Sequence, residues 1–293
     1  MRPLKGLRIL SLALNLPGPA ALMRCVYMGA RCVKLEPPPP HGAPEGTSGD
    51  PMSQYNPIAY ATLHRGVRTI AADLKTEKGQ KILQRELART DLLLTSFRPS
   101  ALVKLGLTWK ALHQQYPALS QVAIVGAPGA RAETPGHDLT YLAENDLITG
   151  LALPATLYAD MGGSLMTSEA VLRAVLLQRS QGKGVRIEIA LSDAARYLAL
   201  PRSWGLSQAG APVGGGHAGY GIYNCKDGRV AVAALEPHFA ARLCAAAGME
   251  DASAMSAPAA RQAMALWLLG KTRKALDKLA AEKDIPLHTL AMQ

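Results

Sequence analysis

Residues 7–35, LRILSLALNLPGPAALMRCVYMGARCVKL, carry the pattern that decides the fold. A short apolar run from Leu7 to Ala13 meets a breaker cluster at 15–19, and a helix-forming segment, Ala20 to Met28, follows it. A second apolar run begins at Cys32 and ends at Leu35. The order strand, turn, helix, strand predicts the first unit of a parallel α/β sheet.

The same rhythm continues beyond a loop, at residues 37–49, that is too rich in Pro and Gly to be regular. The further strand candidates are Thr69–Ala72, Asp91–Thr95, Gln121–Val125 and Val185–Leu191. The intervening helices are expected at Glu77–Ala88 with Thr76 as N-cap, at Trp109–Gln115, and from about Gly163 to Ser180. Strands that alternate with helices predict a Rossmann-like parallel sheet, which binds ligands beyond the carboxyl ends of its strands.

The pattern changes near residue 200. A glycine-rich connector contains Gly214 to Gly216, and a hairpin is expected around Lys226-Asp227-Gly228, ahead of Ala-rich helices. The sequence therefore predicts a large α/β domain at 1–200, a linker at 201–220 and a small α+β domain at 221–293.

The composition limits the class of partner. In 293 residues, 48% are apolar and 18% charged, which suits one large or two modest domains and excludes disorder as the main state. The formal charge of +10 points to an anionic partner: nucleic acid, an acidic membrane surface or a phosphorylated small molecule. With only 2 Phe and no interleaving of rings with basic runs, single-stranded nucleic acid ranks lower, and no nucleic-acid partner is expected.

The cysteines and the hydropathy indicate a compartment. Four cysteines without a C-x-x-C pair are typical of reduced thiols, so a cytoplasmic protein is expected. No stretch approaches the roughly 20 apolar residues of a membrane span. The basic residues ahead of 9–14 resemble the start of a signal peptide, but a first strand fits this segment better.

Three loop patterns place an ionisable group beside small or rigid residues: Pro135-Gly136-His137-Asp138, Ala159-Asp160-Met161-Gly162-Gly163 and Leu235-Glu236-Pro237. Each also has an ordinary structural explanation. His137 and Asp160 would each cap a helix, and Glu236 would be a solvent-facing strand end. The histidines lack ligand partners at short spacing, so no metal site is predicted.

Together with other segments, these patterns resemble a known family over almost the whole chain. The further segments are LKGLRIL at 4–10, GARCVKLEP at 29–37, RGVRTI at 65–70, DLK at 73–75, SFRP at 96–99, KLGL at 104–107 and RSQGKG at 179–184. They are similar to the class III CoA-transferases and the α-methylacyl-CoA racemases, the CaiB/BaiF type. The Gly-His-Asp, Ala-Asp-x-Gly-Gly and Glu-Pro-x-Phe segments resemble the racemase branch.

The resemblance implies a racemase or epimerase that exchanges the α-proton of a 2-methylacyl-CoA-like thioester through an enolate. His137 and Asp160 would form the acid/base pair, because racemisation needs a proton carrier on each face of the α-carbon. Glu236 would hydrogen-bond His137. The expected helix start at Gly162-Gly163 is a hypothetical source of N–H donors for the enolate oxygen.

The resemblance also implies a CoA site. Coenzyme A is expected as a thioester substrate, with no tightly bound cofactor, and the chain is expected to form a homodimer, interlocked in this family. The residues expected to contact CoA are Ala72, Asp73, Leu74, Lys75, Ser96, Phe97, Arg98, Lys104, Asp138 and Tyr141. For Lys104, a solvated surface charge is an equally good explanation.

Two alternatives stay open. In the first, the chain is a class III CoA-transferase whose Asp160 attacks the donor thioester and forms a mixed anhydride. In the second, it is an inactive CoA-binding or partner subunit. The motive for the second is that the family's return segment from the small domain has no counterpart in the sequence, which is therefore expected to be C-terminally short.

Overall fold

The computed structural model describes residues 1–249 and 252–292. The chain divides into two compact units, a large unit from Met1 to Ala199 and a small unit that begins at Leu200. Among the described residues, every helix is too short or too polar to cross a lipid bilayer.

The large unit is built on a six-stranded sheet in which every adjacent pair of strands is parallel. The strands are β1 (Arg8–Ser11), β2 (Arg31–Glu36), β3 (Val67–Ala71), β4 (Leu92–Thr95), β5 (Ser120–Val125) and β6 (Arg186–Ala190). Their order is β3-β2-β1-β4-β5-β6. The direction of the connections therefore reverses between β1 and β4, and ligands bind such sheets in the crevice at that point. The predicted Rossmann-like α/β fold is confirmed.

Helices surround the sheet of the large unit. They are α1 (Pro17–Tyr27), α2 (Pro51–Tyr55), α3 (Pro57–Leu63), α4 (Glu77–Leu87), α5 (Pro99–Lys104), α6 (Trp109–Gln115), α7 (Asp138–Glu144), α8 (Tyr158–Gln181) and α9 (Leu191–Leu198), with a 3-10 turn at Gly129–Glu133. Thr76 caps α4 as predicted, since its hydroxyl accepts from the N–H of Gly79 at 3.1 Å. Four helices carry Pro at their first position, where a missing N–H costs nothing.

Both faces of the sheet are buried at its central strands. Ile9 of β1 packs into one apolar cluster and its neighbour Leu10 packs into another, because successive strand residues point to opposite faces. In β4, Leu92 and Leu94 join the first cluster and Leu93 joins the second. This burial on two sides explains why these strands are continuous apolar runs rather than alternating ones.

The small unit contains an antiparallel sheet in the order β7-β8-β9. Its elements are α10 (Leu200–Ser203), β7 (Tyr220–Cys225), β8 (Gly228–Ala233), α11 (Pro237–Ala247), α12 (Pro258–Leu269), α13 (Arg273–Lys283) and β9 (Leu287–Ala291), with 3-10 turns at Pro212–Gly214 and Ala252–Ser256. The hairpin turn at Lys226-Asp227 is confirmed. The sequence predicts only helices after this hairpin, and β9 is an addition, which pairs with β8 along Gly228 to Val232.

Candidate active site

A cavity of about 180 Å³ lies at the carboxyl ends of β1, β4 and β5, where the sheet topology reverses. We refer to it as the Asp160 cavity. The residues that line it include Asn15, Ser96, Arg98, Gly136, His137, Tyr141, Asp160 and Leu191. Five of them are residues that the sequence assigns to the site: Ser96, Arg98, His137, Tyr141 and Asp160.

Asp160 lies in the first turn of α8, and its backbone N–H donates to Oδ1 of Asp138 at 3.0 Å. Asp138 is the first residue of α7 and is buried. Burial, and after it the negative charge of Asp138, raise the pKa of Asp160 to about 6 against the opposing effect of His137. Near neutral pH this carboxyl group therefore populates both its protonated and its ionised form.

His137 precedes α7 as its N-cap residue. Its backbone N–H donates to Oγ1 of Thr140 at 3.0 Å, which fixes the turn, and its exposed side chain borders the Asp160 cavity. Two adjacent residues at the start of α7 therefore have different roles. His137 faces the cavity, and Asp138 holds the first turn of α8.

Tyr141 is buried beside the same cavity, between two glycines. A Cβ at Gly126 would lie 2.3 Å from the Tyr141 hydroxyl oxygen, and a Cβ at Gly136 would lie 2.6 Å from it, so both positions need glycine. Burial and the charge of Asp160 raise the pKa of Tyr141, which keeps its hydroxyl protonated. Tyr141 is therefore a hydrogen-bond donor at the cavity wall.

A second and larger space, of about 1040 Å³, lies at the carboxyl ends of β2 and β3, and we refer to it as the Lys104 groove. Its walls are mainly apolar, with Leu12, Leu35, Pro37 and Pro38 among them. The structure brings six of the predicted CoA residues into this groove: Ala72, Asp73, Leu74, Lys75, Phe97 and Lys104. Lys75 and Lys104 are exposed, so the groove combines apolar walls with two cations.

One segment borders both spaces. Ser96 and Arg98, which follow β4, line the Asp160 cavity, and the intervening Phe97 lines the Lys104 groove. The two spaces therefore lie on either side of three consecutive residues.

Asp138 and Glu236 are the two remaining site residues that the sequence predicts. The Asp138 carboxylate accepts from the backbone of α8, as described above. Glu236 is the exposed N-cap residue of α11 in the small unit. Its hydrogen bond to His137 stays a prediction.

Two expectations about α8 are wrong. The helix begins at Tyr158 rather than near Gly163, so Asp160 is not its N-cap. Gly162 and Gly163 are inside the helix, where they cannot be the N–H donors of a helix start. They serve packing instead, because a Cβ on Gly163 would lie 2.3 Å from Cδ2 of Leu191 in α9.

Asn15 also lines the Asp160 cavity, and it is not among the site residues predicted from the sequence. Its φ is 62°, in the left-handed region that asparagine tolerates better than most residues. The signal was available, since Asn15 starts the breaker cluster directly after the first strand.

The model of CoA-transferase family III matches residues 4–291. The chain belongs to this family. Over 272 residues it is 30% identical to the alpha-methylacyl-CoA racemase of Mus musculus, and the match covers 85% of this chain and 65% of the racemase. Over 204 residues it is 29% identical to the cinnamoyl-CoA:phenyllactate CoA-transferase of Clostridium sporogenes, covering 66% of this chain and 50% of that enzyme. The chain thus spans 65% or less of the length of these relatives.

Solved structures show the same fold. A hypothetical protein from Mycobacterium tuberculosis superimposes with a TM-score of 0.84 at 24% identity, covering 100% of this chain and 84% of that one. A CaiB/BaiF family protein from Brucella suis gives a TM-score of 0.77 at 22% identity, covering 97% and 83% of the two chains.

Proposed function

We propose that the chain acts on CoA thioesters as a racemase or epimerase of a 2-methylacyl-CoA-like substrate. One group removes the α-proton, the electron pair moves into the thioester carbonyl to give an enolate, and the other group returns a proton to the opposite face. His137 and Asp160 are the proposed pair. Each is a base in one direction of the reaction and an acid in the other.

One observation carries the proposal. His137 and Asp160 line a single cavity, and the segment 96–98 borders both that cavity and the groove that contains six of the predicted CoA residues. The pKa of Asp160, about 6, suits a group that must both accept and donate a proton near neutral pH. The Tyr141 hydroxyl is a donor available beside them.

The Lys104 groove fits the coenzyme. Coenzyme A has an adenine ring and several phosphate oxygens, so it requires apolar walls with a few cations. Phe97 and the neighbouring leucines supply apolar surface, and Lys75 and Lys104 supply positive charge at exposed positions. In this arrangement the pantetheine arm passes Ser96 and Arg98, and the thioester enters the Asp160 cavity.

A CoA-transferase is the second candidate, because Asp160 and the groove serve it equally well. A carboxylate oxygen of Asp160 would attack the thioester carbonyl carbon, the C–S bond would break, and CoA would leave as the thiolate while a mixed anhydride forms. The similarity to a CoA-transferase at 29% identity keeps this candidate. His137 has no assigned role in this reaction, which makes it the residue that separates the two proposals.

A deuterium experiment separates the two reactions. We expect the protein, incubated with (2R)-2-methylacyl-CoA in D₂O, to give a mass increase of one unit at the α-carbon and to form the 2S epimer with no added acid. A transferase gives no such exchange, but forms a new CoA thioester when a carboxylate acceptor is added. If neither product forms, both proposals are wrong.

Variants assign the proton carriers. Asp160→Asn and His137→Ala are each expected to abolish epimer formation, because either loss leaves one face of the α-carbon without a proton carrier. His288→Ala, at an exposed position of β9, is the control and should keep full activity. Epimerisation that persists in both site variants would contradict the assignment.

We also propose that the chain forms a homodimer. The exposed side of α8 carries Tyr158, Met161, Leu165 and Leu176, and the side chain of Tyr197 in α9 is 69% exposed. Large apolar side chains concentrated on one element are typical of an interface between protein chains. A second copy of the chain would cover them.

A further inference from the structure

The large unit contains a buried cluster of charged side chains, and we refer to it as the Lys34 cluster. It consists of Lys34 and Glu36 at the end of β2, Asp50 at the end of the Pro-rich loop, and Tyr60 and His64 at α3 and its C-cap. The side chains of Lys34 and Asp50 are completely buried. Burying charges costs several kcal/mol each unless partners compensate them, so such a cluster needs an explanation.

The ammonium of Lys34 hydrogen-bonds to two side chains and forms an ion pair with Glu36, whose buried Oε2 accepts no hydrogen bond. Asp50 Oδ2 accepts one hydrogen bond, His64 Nε2 lies 2.9 Å from the ammonium nitrogen, and Glu36 Oε2 lies 3.1 Å from it. His64 Nδ1 lies 2.7 Å from the carbonyl oxygen of Tyr60, which can only accept, so we assign the proton to Nδ1. The ring of His64 is therefore neutral, and its Nε2 lone pair faces Lys34.

Lys34 supplies the positive charge between three side chains whose ligand atoms lie close together. One ligand atom each from Glu36, Asp50 and His64 lie within 4.8 Å of one another, which is a spacing that a cation could bridge. The ammonium group contacts all three of these side chains. The ring of Tyr60 covers it at 5.4 Å.

The second carboxylate oxygen of Asp50 contacts the backbone of a residue in the wall of the Asp160 cavity. Its Oδ1 accepts from the backbone N–H of Met52 at 2.9 Å, which caps α2, and from the backbone N–H of Asn15 at 3.1 Å. Asn15 is the left-handed residue in the wall of that cavity. The backbone N–H of Asn15 thus donates to a charged and fully buried acceptor, which fixes a wall residue in a conformation that L-amino acids rarely adopt.

The same ammonium also fastens the Pro-rich loop. Glu36 directly precedes residues 37–49 and Asp50 directly follows them, so Lys34 binds both ends of this loop. The ends touch, since a Cβ on Gly49 would lie 2.0 Å from the carbonyl oxygen of Pro37. Glu36 and Pro37 line the Lys104 groove. The cluster therefore connects to the walls of both spaces.

We propose that Asp50, held in place by Lys34, is a positioning residue that keeps the backbone of Asn15 in its left-handed conformation at the wall of the Asp160 cavity. This inference rests on the proposed function, because turnover in that cavity is what the position of Asn15 would affect. Asp50 itself does not touch the substrate. It acts through Asn15.

Only a carboxylate can accept hydrogen bonds both from the Lys34 ammonium and from the backbone N–H groups of Asn15 and Met52. Asp50 presents one oxygen to the ammonium and the other to the N–H groups of Asn15 and Met52. An amide in its place has a single acceptor, so either the ammonium or the backbone N–H groups would face its NH₂ group. Asp50→Asn therefore preserves volume and breaks one of the two connections.

The test is a double-mutant cycle on kcat. We expect Asp50→Asn and Asp50→Ala each to lower kcat about fivefold, less than the roughly tenfold preference of an ordinary L-residue against the left-handed region, because asparagine tolerates this region better. In the background of Asn15→Gly the same changes should lower kcat less than about threefold, because glycine adopts this region without that preference. An equal effect in both backgrounds would overturn the proposal.

A control separates positioning from helix capping. Asn56 caps the next helix, α3, by accepting from the N–H of Ala59 at 3.0 Å, in the same manner as Asp50 caps α2. Asn56→Ala should lower the thermal midpoint and leave kcat unchanged. If it lowers kcat as much as Asp50→Ala does, the effect belongs to capping and the inference is wrong.

Amide hydrogen exchange gives a readout that does not depend on turnover. We expect the Asn15 amide to exchange at least about tenfold faster in Asp50→Asn than in the unaltered protein, while the amides of β1 keep their protection. A protein that neither epimerises nor transfers CoA would remove the proposed function but not this result. Unchanged exchange at Asn15 would remove the inference even if the enzyme is active.

Discussion

At the scale of the residue, Asp160 is destabilising in its ionised form. Burial and the charge of Asp138 raise the pKa of this carboxyl from its ordinary value of 3.8 to about 6, so the folded protein binds this proton more tightly than the unfolded chain does. The stability that this group contributes is complete below pH 3.8 and is lost as the pH rises through about 6. At pH 8 the protein therefore retains a partly buried charge at a cost to folding.

We therefore expect Asp160→Asn to inactivate the protein and to stabilise it at high pH. At pH 8 the gain should be on the order of 2 kcal/mol, less than the full shift because the group is partly solvated. At pH 4 the gain should vanish. Urea unfolding at the two pH values measures it. Asp193→Asn is the control, since Asp193 pairs with Arg196 on an exposed helix face and should give no gain. Equal stability of Asp160→Asn and the unaltered protein at pH 8 would contradict the burial of this charge.

The residue scale also shows how far the sequence could predict the site. The chemistry of His137 and Asp160 and the resemblance of their segments to a family motif predict that both belong to the site, and both line one cavity of the structure. The Lys34 cluster had no comparable signal. A lysine and a glutamate two residues apart in an apolar strand indicate buried charge, but nothing local shows that Asp50 returns to meet them.

At the scale of the element, α8 and α9 determine the shape of the Asp160 cavity. Leu191 of α9 lines that cavity and touches the position where Gly163 of α8 has no side chain. A methyl group at 163 would displace the end of the leucine side chain. The cavity, of only about 180 Å³, would receive it.

We therefore predict that Gly163→Ala lowers kcat/KM about tenfold, because displacing one side chain into a reacting site costs roughly 1–3 kcal/mol. Adding Leu191→Ala should restore much of the lost activity by making room.

Gly162→Ala is the matched control in the same helix, because its Cβ would lie 3.2 Å from Leu198, and helix propensity favours alanine. It should keep activity and be at least as stable. Equal losses for both glycine variants would show that helix chemistry, and not Leu191, is responsible.

The elements that the sequence predicted well are those whose signal is local. Largely apolar runs predict the central strands β1, β4 and β5, and Thr76 marks the start of α4. The sequence predicts too late a start for α8 because two adjacent glycines indicate a helix boundary, whereas here contact with α9 requires them. The strand β9, LHTLA, has no strand signal of its own and depends on pairing with β8.

At the scale of the whole molecule, the excess of positive charge has more than one use. The 32 Lys and Arg residues include Lys34, whose charge is buried and neutralised by carboxylates. Lys75 and Lys104 are exposed in the groove proposed for CoA. The net charge of +10 therefore does not measure a single anion-binding surface, and it supports a phosphorylated small molecule only through the few cations that lie beside apolar walls.

The exposed side of α8 leads to the last prediction, which concerns assembly. Leu165 is 52% exposed at the middle of this side, and Glu169 lies one turn further along. Light scattering should give the unaltered protein a mass of twice the 31.0 kDa chain. Leu165→Lys should shift the mass toward that of one chain, because it places a charge in the interface while pairing favourably with Glu169 in the free helix.

Val103→Lys, which adds the same charge at an exposed apolar position of α5, should leave the dimer intact. A monomeric unaltered protein would contradict the homodimer, and equal dissociation of both variants would show that net charge rather than this side of α8 controls assembly.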